Sequence, residues 1–199
     1  MPASGFDRRL AAAQCGDERC FAELFRSVQP SLLRYLSTMG GPLADDVAAD
    51  TWLSVVRGLD RFRGDESGWK AWVFTIARAR LVDAQRRAAR TPTPVDTDVV
   101  LEGWVATDDV AGTVEDMFST EAALALIGQL PEQQAEVILL RFVGGLDVAQ
   151  TARALGKRPG AVRVASHRGL RRLADLLSER RDPSEQSAVT HQDPGSVWR

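Results

Sequence analysis

The sequence predicts an all-α chain of two small helical domains joined by a flexible acidic linker, and three observations carry that prediction. Apolar residues recur at three- and four-residue spacing in an N-terminal and a C-terminal block, the period of helices with one buried face. Between the blocks, Thr91 to Phe118 holds seven acids and no Lys or Arg. Pro92 and Pro94 open that stretch, so the preceding helix cannot simply continue. At 199 residues the chain suits two modest cores, since domains below about 100 residues still fold alone. The expected divisions are 1–90, the linker 91–118, 119–181, and a tail 182–199 of disordered composition.

Asp17 is placed to cap a helix beginning "ERCFAELFRSV", whose Phe21, Leu24, Phe25 and Val28 form a buried stripe. Pro30 restarts the helix before "SLLRYLSTMGG", and the double glycine ends it. The next helix is expected from about Leu43 to Phe62, with Trp52, Val55, Val56, Leu59 and Phe62 facing inward. Asp45, Asp46 and Asp50 fall in its first turns, where carboxylates suit the helix dipole. Asp46 and Asp50, four apart, also suit an exposed acidic patch. After the polar turn "RGDESG", a third helix carries Trp69, Trp72, Val73 and Ile76 on one face and ends in "RRAAR". These tryptophans could stack on bases, but their stripe continues into core residue types and is read as core.

The C-terminal block opens with "EAALALIGQLPEQQAEVILLRFVGGL", where Pro131 fits a first helical turn and Gly144-Gly145 close the helix. Two shorter helices follow in "LDVAQTARALGKRPGAVRVASHRGLRRL". Val148, Ala152 and Leu155 line the first, Gly156 makes the turn, and Val162, Gly169, Leu170, Leu173 and Leu177 line the second. Stepping 100° per residue from Val162 puts Val164, His167 and Arg171 opposite the buried face, flanked by Arg163 and Arg168.

The formal net charge of −2 hides strongly opposed segments. From Ile76 to Arg90 five arginines face one acid, and from Lys157 to Arg181 eight basic residues face two. Two separated basic blocks are the footprint expected of a protein that meets a polyanion in two places. No eighteen-residue apolar run and no apolar run of signal-peptide length occurs, so a soluble, cytoplasmic protein without membrane insertion is expected. Cys15 and Cys20 are too few and too close for a disulfide framework, and no His stands near them to complete a zinc site. They are read as reduced thiols on an N-terminal helix. His167 and His191 are far apart, and no nucleophile–base or paired-carboxylate arrangement stands out, so neither catalysis nor a cofactor is expected.

The paired helices read as a helix-turn-helix, whose second helix enters a major groove with its N-terminal residues near base edges. Arg donates two hydrogen bonds to guanine O6 and N7, and apolar groups meet a thymine methyl. Lys157, Arg158, Arg163, Val164, His167, Arg168, Arg171 and Arg172 form the expected duplex-facing set, with Arg171 and Arg172 on phosphate.

The ordered set "PLADDVAADTWLSVVRGLDRF", "WKAWVFTIARARLVDAQRR", "LPEQQAEVILLRFVGGL" and "DVAQTARALGKRPGAVRVASHRGLRRLADLL" resembles the bacterial sigma-70 superfamily, specifically its extracytoplasmic-function (ECF) RNA polymerase sigma factors. The resemblance covers about Phe21 to Leu177 and implies a promoter-specificity subunit rather than an enzyme. The first domain is similar to sigma region 2, a three- or four-helix bundle. In it Asp46, Asp50, Arg57 and Arg61 would dock on the clamp helices of the largest polymerase subunit. Its Arg63–Gly68 loop and third helix would recognise the −10 element as it melts. The resemblance assigns Arg63, Asp65, Glu66, Ser67, Lys70, Arg78, Arg80, Arg86 and Arg87 to that contact. The second domain is similar to sigma region 4, would read the −35 element as duplex, and would meet the flap of the second polymerase subunit.

The same resemblance implies that the acidic linker threads toward the polymerase cleft, with Trp104 either an anchor or part of a local apolar cluster. It also implies an anti-sigma partner. Many members carry Asn at the position of Ala79 and Ser-Arg at Val164-Ala165, so relatives do not dictate this chain's promoter sequence. The competing reading is a stand-alone helix-turn-helix regulator whose N-terminal block serves dimerisation or effector binding.

Overall fold

The structure is a computed structural model that describes residues 4–90 and 114–181, without the side chains of 114–119, 180 and 181. Most of the acidic linker, with Trp104, and the C-terminal tail lie outside the described residues. Nine α-helices and no strand occur among the described residues. The N-terminal unit comprises α1 (Gly5–Gln14), α2 (Glu18–Arg26), α3 (Gln29–Gly40), α4 (Ala44–Gly58) and α5 (Glu66–Arg90). The C-terminal unit comprises α6 (Val114–Ile127), α7 (Glu132–Ile138), α8 (Val148–Leu155) and α9 (Pro159–Arg181). Residues 114–118, expected in the linker, thus form the first turns of α6.

Local chemistry explains most boundaries. Ser4 and Asp7 form a reciprocal capping box at α1, each side chain accepting from the other's backbone N–H. Asp17 caps α2 by accepting from Cys20 N–H at 2.9 Å, and that bond holds its carboxyl below the usual range. Pro30 sits in the first turn of α3, where a missing N–H costs nothing. The expected single helix from Leu43 to Phe62 instead stops at Gly58 and tightens into a 3₁₀ turn, Leu59–Arg61. Gly58 faces the Trp72 indole so closely that a Cβ there would lie 3.0 Å from Cζ2. The glycine therefore weakens the helix at the one place where α4 and α5 must approach closely.

The N-terminal core is aromatic. Trp69, Tyr35 and Phe74 are fully buried, with Tyr35 and Phe74 edge to face at 5.6 Å. Phe62 packs edge-on to Trp69 and stacks on Trp72, so these tryptophans are structural, as their spacing predicted. Burying an aromatic side chain of this size is worth several kcal/mol, and these few residues fix where α5 lies. Val56, expected in the α4 stripe, is instead exposed, because α4 buries the face through Val47, Thr51, Trp52 and Val55.

The C-terminal core is aliphatic and smaller. Val137, Ile138, Leu139 and Leu140 are buried around α7 and meet Val162 and Gly169 of α9. After α7 the chain makes a π turn, Leu139–Val143, closed by Gly144 N–H donating to Leu139 O at 2.8 Å. Leu170 and Leu177, expected on the buried stripe of α9, are exposed, while Leu173 and Leu176 are half-buried. Beyond Gly169 the side of the helix that packs against the core runs through Leu173 and Leu176, which leaves Leu170 and Leu177 facing outward.

The two units pack against each other and share one continuous core. Tyr35, Phe74 and Arg78 on one side meet Glu136, Gly144 and the start of α8 on the other.

Candidate nucleic-acid interface

The scaffold of the α8–α9 pair is built from caps and one glycine. Gln150 N–H donates to Asp147 Oδ1 at 2.7 Å while Asp147 N–H donates back to Gln150 Oε1 at 2.9 Å, a reciprocal box at the start of α8. Buried Thr151 donates its hydroxyl to Asp147 O at 2.7 Å. Gly156 ends the helix at φ 62°, the left-handed conformation that only glycine adopts freely. The chain can then turn directly into α9. Gly169 brings α9 onto α7, since a Cβ there would lie 3.0 Å from Ile138 Cγ1.

With Val162, Ser166 and Gly169 turned inward, the opposite face of α9 is set. Arg163, Val164, His167, Arg168, Arg171 and Arg172 are all exposed, Val164 to 51%. None of these side chains finds a hydrogen bond or ion pair among the described residues. Their charge is fully available to an outside anion. Arg158 is exposed just ahead of α9, and Lys157 reaches back to Gln133 Oε1 at 3.2 Å. An open groove between α7 and α9 is lined by Pro131, Gln134, Gly160, Val164 and Arg168, continuous with that face.

The set expected to meet the −10 element is divided among several surroundings. Arg63 curls onto its own turn, donating to Asp60 O at 2.8 Å and Phe62 O at 2.7 Å. Asp65 caps α5, accepting from Gly68 N–H at 2.7 Å, so its carboxylate serves the helix start. Glu66 and Lys70 form an exposed i,i+4 pair at 3.8 Å. Ser67 Oγ accepts from Gln150 Nε2 at 2.7 Å. Arg78 pairs with Glu136 at 2.9 Å, Arg80 donates to Ser54 Oγ at 3.1 Å, and Arg87 lies 3.9 Å from Asp50. Arg86 is exposed.

On α4, Asp46, Asp50 and Arg57 are exposed along one face, and Arg61 is exposed in the following turn. Leu53 and Val56 stand exposed beside them at 55% and 54%. A face that mixes carboxylates with uncovered apolar side chains has the composition of a protein contact rather than a nucleic-acid contact. Sequence reasoning found its charges and missed Leu53. It also missed Tyr35, Glu136 and Gln150; a single acid inside the apolar run "AEVILL" was the available signal for Glu136.

Partial burial and the Asp17 carboxylate push the Cys20 thiol above its ordinary value, away from the nucleophilic thiolate. Among the described residues no cluster of His, Cys, Asp or Glu could hold a metal ion, and no helix is long and apolar enough to cross a membrane.

Two families match the chain in the order its blocks imply: sigma-70 region 2 over residues 24–91, and sigma-70 region 4 over residues 120–173. The chain is 33% identical over 184 residues to the ECF RNA polymerase sigma factor SigD of Mycobacterium tuberculosis, covering 89% of this chain and 86% of that one. It belongs to the ECF RNA polymerase sigma factors. ShbA of Streptomyces griseus, another ECF sigma factor, is 36% identical, covering 82% of this chain and 91% of its own. The fold of this ECF sigma factor is also similar to that of CnrH solved with the cytosolic domain of CnrY, at 24% identity and a TM-score of 0.57 over 86% of this chain and 96% of that one. The sigma factor RpoE of Bartonella quintana, solved with the anti-sigma factor NepR, gives 21% identity and a TM-score of 0.57 over 79% and 96%.

Proposed function

We propose that this sigma factor directs core RNA polymerase to its promoters, reading the −35 element with α9 and the −10 element with the Arg63–Gly68 loop and α5. It acts in the cytoplasm and catalyses nothing itself. The observation that carries the reading is the outward face of α9: six exposed side chains, four of them arginines, on a rigid helix-turn-helix scaffold. Arg163 and Arg168 lie in the half of α9 that reaches base edges, where a bidentate arginine selects guanine. Arg171 and Arg172 lie farther along, where phosphate contacts add affinity without sequence information. The mixed acidic and apolar face of α4 supports docking on the polymerase clamp through Asp46, Asp50, Arg57 and Arg61, with the flap serving the C-terminal unit. A chain that exposes such a face also suits an anti-sigma partner, the class to which NepR in the RpoE complex belongs.

Reconstituted transcription tests the proposal: the purified chain with core polymerase on a genomic promoter library should yield selective transcripts that neither component gives alone. A palindrome footprinted by the chain alone, with no selective transcription, supports a stand-alone regulator instead. Asp46→Arg with Asp50→Arg should weaken association with core polymerase at unchanged yield of folded protein, and co-purification at the wild-type level would count against this interface. The arginines repel one another as the carboxylates do, so the cost to the fold is the dipole interaction at the start of α4 and the exposed 3.9 Å Asp50–Arg87 contact, about 1–2 kcal/mol together.

A further inference from the structure

The turn that ends α4 leads straight into the Arg63–Gly68 loop, and a side chain from α1 holds it there. Gln14 is the last residue of α1 and lies ahead of residue 24, where the similarity to sigma-70 region 2 begins. Its Nε2 donates twice, to Leu59 O at 2.8 Å and to Phe62 O at 3.0 Å. A helix end leaves its last carbonyls without an intrahelical partner, so a donor brought to them fixes the direction in which the chain departs. Phe62 O also accepts from Arg63 Nη1 at 2.7 Å, and the same nitrogen donates to Asp60 O at 2.8 Å. The Arg63 guanidinium is therefore placed relative to the very carbonyl that Gln14 holds. Beneath the loop the Phe62 ring packs against Trp69 and Trp72, and a Cβ on Gly64 would lie 3.0 Å from its Cζ. Phe62 thus anchors the loop twice, by its ring and by its carbonyl.

The platform under Gln14 is well fixed. Phe6, Leu10 and Ala13 bury one side of α1, a capping box starts it, and Arg9 lies 3.8 Å from Glu23 of α2. Gln14 itself is half-buried, so water competes poorly for the two carbonyls. An amide suits the place because of its charge. Leu59 O and Phe62 O lie at the negative end of α4, beside a loop that meets a DNA strand on the proposed reading. A neutral donor satisfies them, whereas a carboxylate would repel both the carbonyls and the strand. A melted strand is itself flexible, so discrimination among its bases depends on a loop already ordered before contact.

We propose that Gln14 is a positioning residue for −10 recognition: from α1, ahead of the matched region 2, it fixes the Arg63–Gly68 loop and the Arg63 guanidinium through the Phe62 carbonyl. This rests on the proposed role of that loop. Gln14 makes no contact with DNA and acts only through the turn.

Two variants of the full chain test it. Gln14→Met keeps the length of the side chain and removes the donor, and Gln14→Glu keeps its shape and replaces the donor with an anion. Amide exchange across residues 62–69 of the free chain reports whether the loop is held, without reference to function. Holoenzyme selection from templates randomised at −10, and separately at −35, reports reading. Both variants should exchange faster at 62–69, with affinity for core polymerase and −35 selection unchanged. In Gln14→Met the preference for the selected −10 sequence over single mismatches should fall roughly 5- to 10-fold, the scale of one or two lost hydrogen bonds. Gln14→Glu should lose more, and Gln14→Met carries the test alone if the carboxylate prevents folding. A merely structural role would lower activity on every template in proportion to the unfolded fraction and leave the order of −10 preferences intact. Unchanged exchange in Gln14→Met, or faster exchange with wild-type −10 preferences, overturns the positioning role while the loop's own role stands. A wild-type holoenzyme without any −10 preference removes the loop's promoter-reading role, and the proposal with it.

Discussion

Helices α5 and α9 are both arginine-rich and both amphipathic, yet they use their arginines oppositely. On α9 the cations at 163, 168, 171 and 172 are exposed and unpartnered among the described residues. On α5, Arg78 is bound to Glu136, Arg80 to Ser54 and Arg87 to Asp50. The difference follows from what surrounds each helix. α9 is packed on one side only, chiefly against α7 and α8, whereas the middle of α5, which carries Arg78 and Arg80, lies between α4 and the C-terminal unit, and its last turn, with Arg86 and Arg90, is exposed. Charge density along the sequence reports how many cations a helix carries; packing decides whether they face outward or tie neighbours together.

Five substitutions break or sharpen this contrast. The largest effect should come from Trp69→Ala, which removes the fully buried side chain that seats α5 against Phe62. A loss of about 3–5 kcal/mol is expected in urea unfolding, since a cavity of that size does not collapse fully. If Trp69 stacked on bases instead, stability would be nearly unchanged and −10 recognition would fail. Next, Arg163→Ala or Arg168→Ala should remove roughly 1–3 kcal/mol of discrimination at particular −35 positions. Selection by holoenzyme from a randomised −35 library measures this, and unaltered selected sequences would show that another face of α9 enters the groove.

A smaller and different effect is expected from Arg172→Ala. Binding should weaken alike at all promoters, and the slope of log affinity against log salt should fall by about one phosphate contact. Repeating the selection at two salt concentrations separates it from the base-reading arginines. The smallest effect should be that of Arg87→Ala on stability, because its pair with Asp50 is 3.9 Å long and exposed on both sides at 67% and 51%. Solvent screening reduces such pairs to about 0–1 kcal/mol. A thermal shift well beyond that would mean that α5 depends on its arginines for position and not on Trp69.

Features with local causes were legible in the sequence. The Asp17 cap, the restart at Pro30, the tryptophan core of α5 and the outward face of α9 all follow from neighbours within one or two turns, and each appears where spacing placed it. Val56, Leu170 and Leu177 were misplaced because an apolar residue at helical spacing is buried only where another element covers it. The contact between units was invisible for a related reason. Tyr35 and Glu136 are 101 positions apart, and Ser67 and Gln150 are 83 apart. No periodicity connects such pairs, and Glu136 reads locally as one more solvated helix acid. The basic run of α5 thus suggested a single nucleic-acid surface, where the fold ties Arg78 to the C-terminal unit and Arg80 and Arg87 to α4 and leaves Arg86 and Arg90 exposed.

The π turn at Leu139–Val143 fixes the direction in which the duplex-facing arginines point. It takes up one residue more than an α-helical turn would, so it keeps the rotational phase between α7, which is anchored on the first unit by Glu136, and everything that follows. Each residue of an α-helix advances the chain by 100°. Deleting a single residue there would let the turn relax to α geometry with about the same rotation and keep the arginines of α9 on their face, whereas a residue added where no wider turn absorbs it would swing the helix pair about a quarter-turn relative to α7. Side-chain exchange within this segment is a question of volume; a gain in its length is a change of aim.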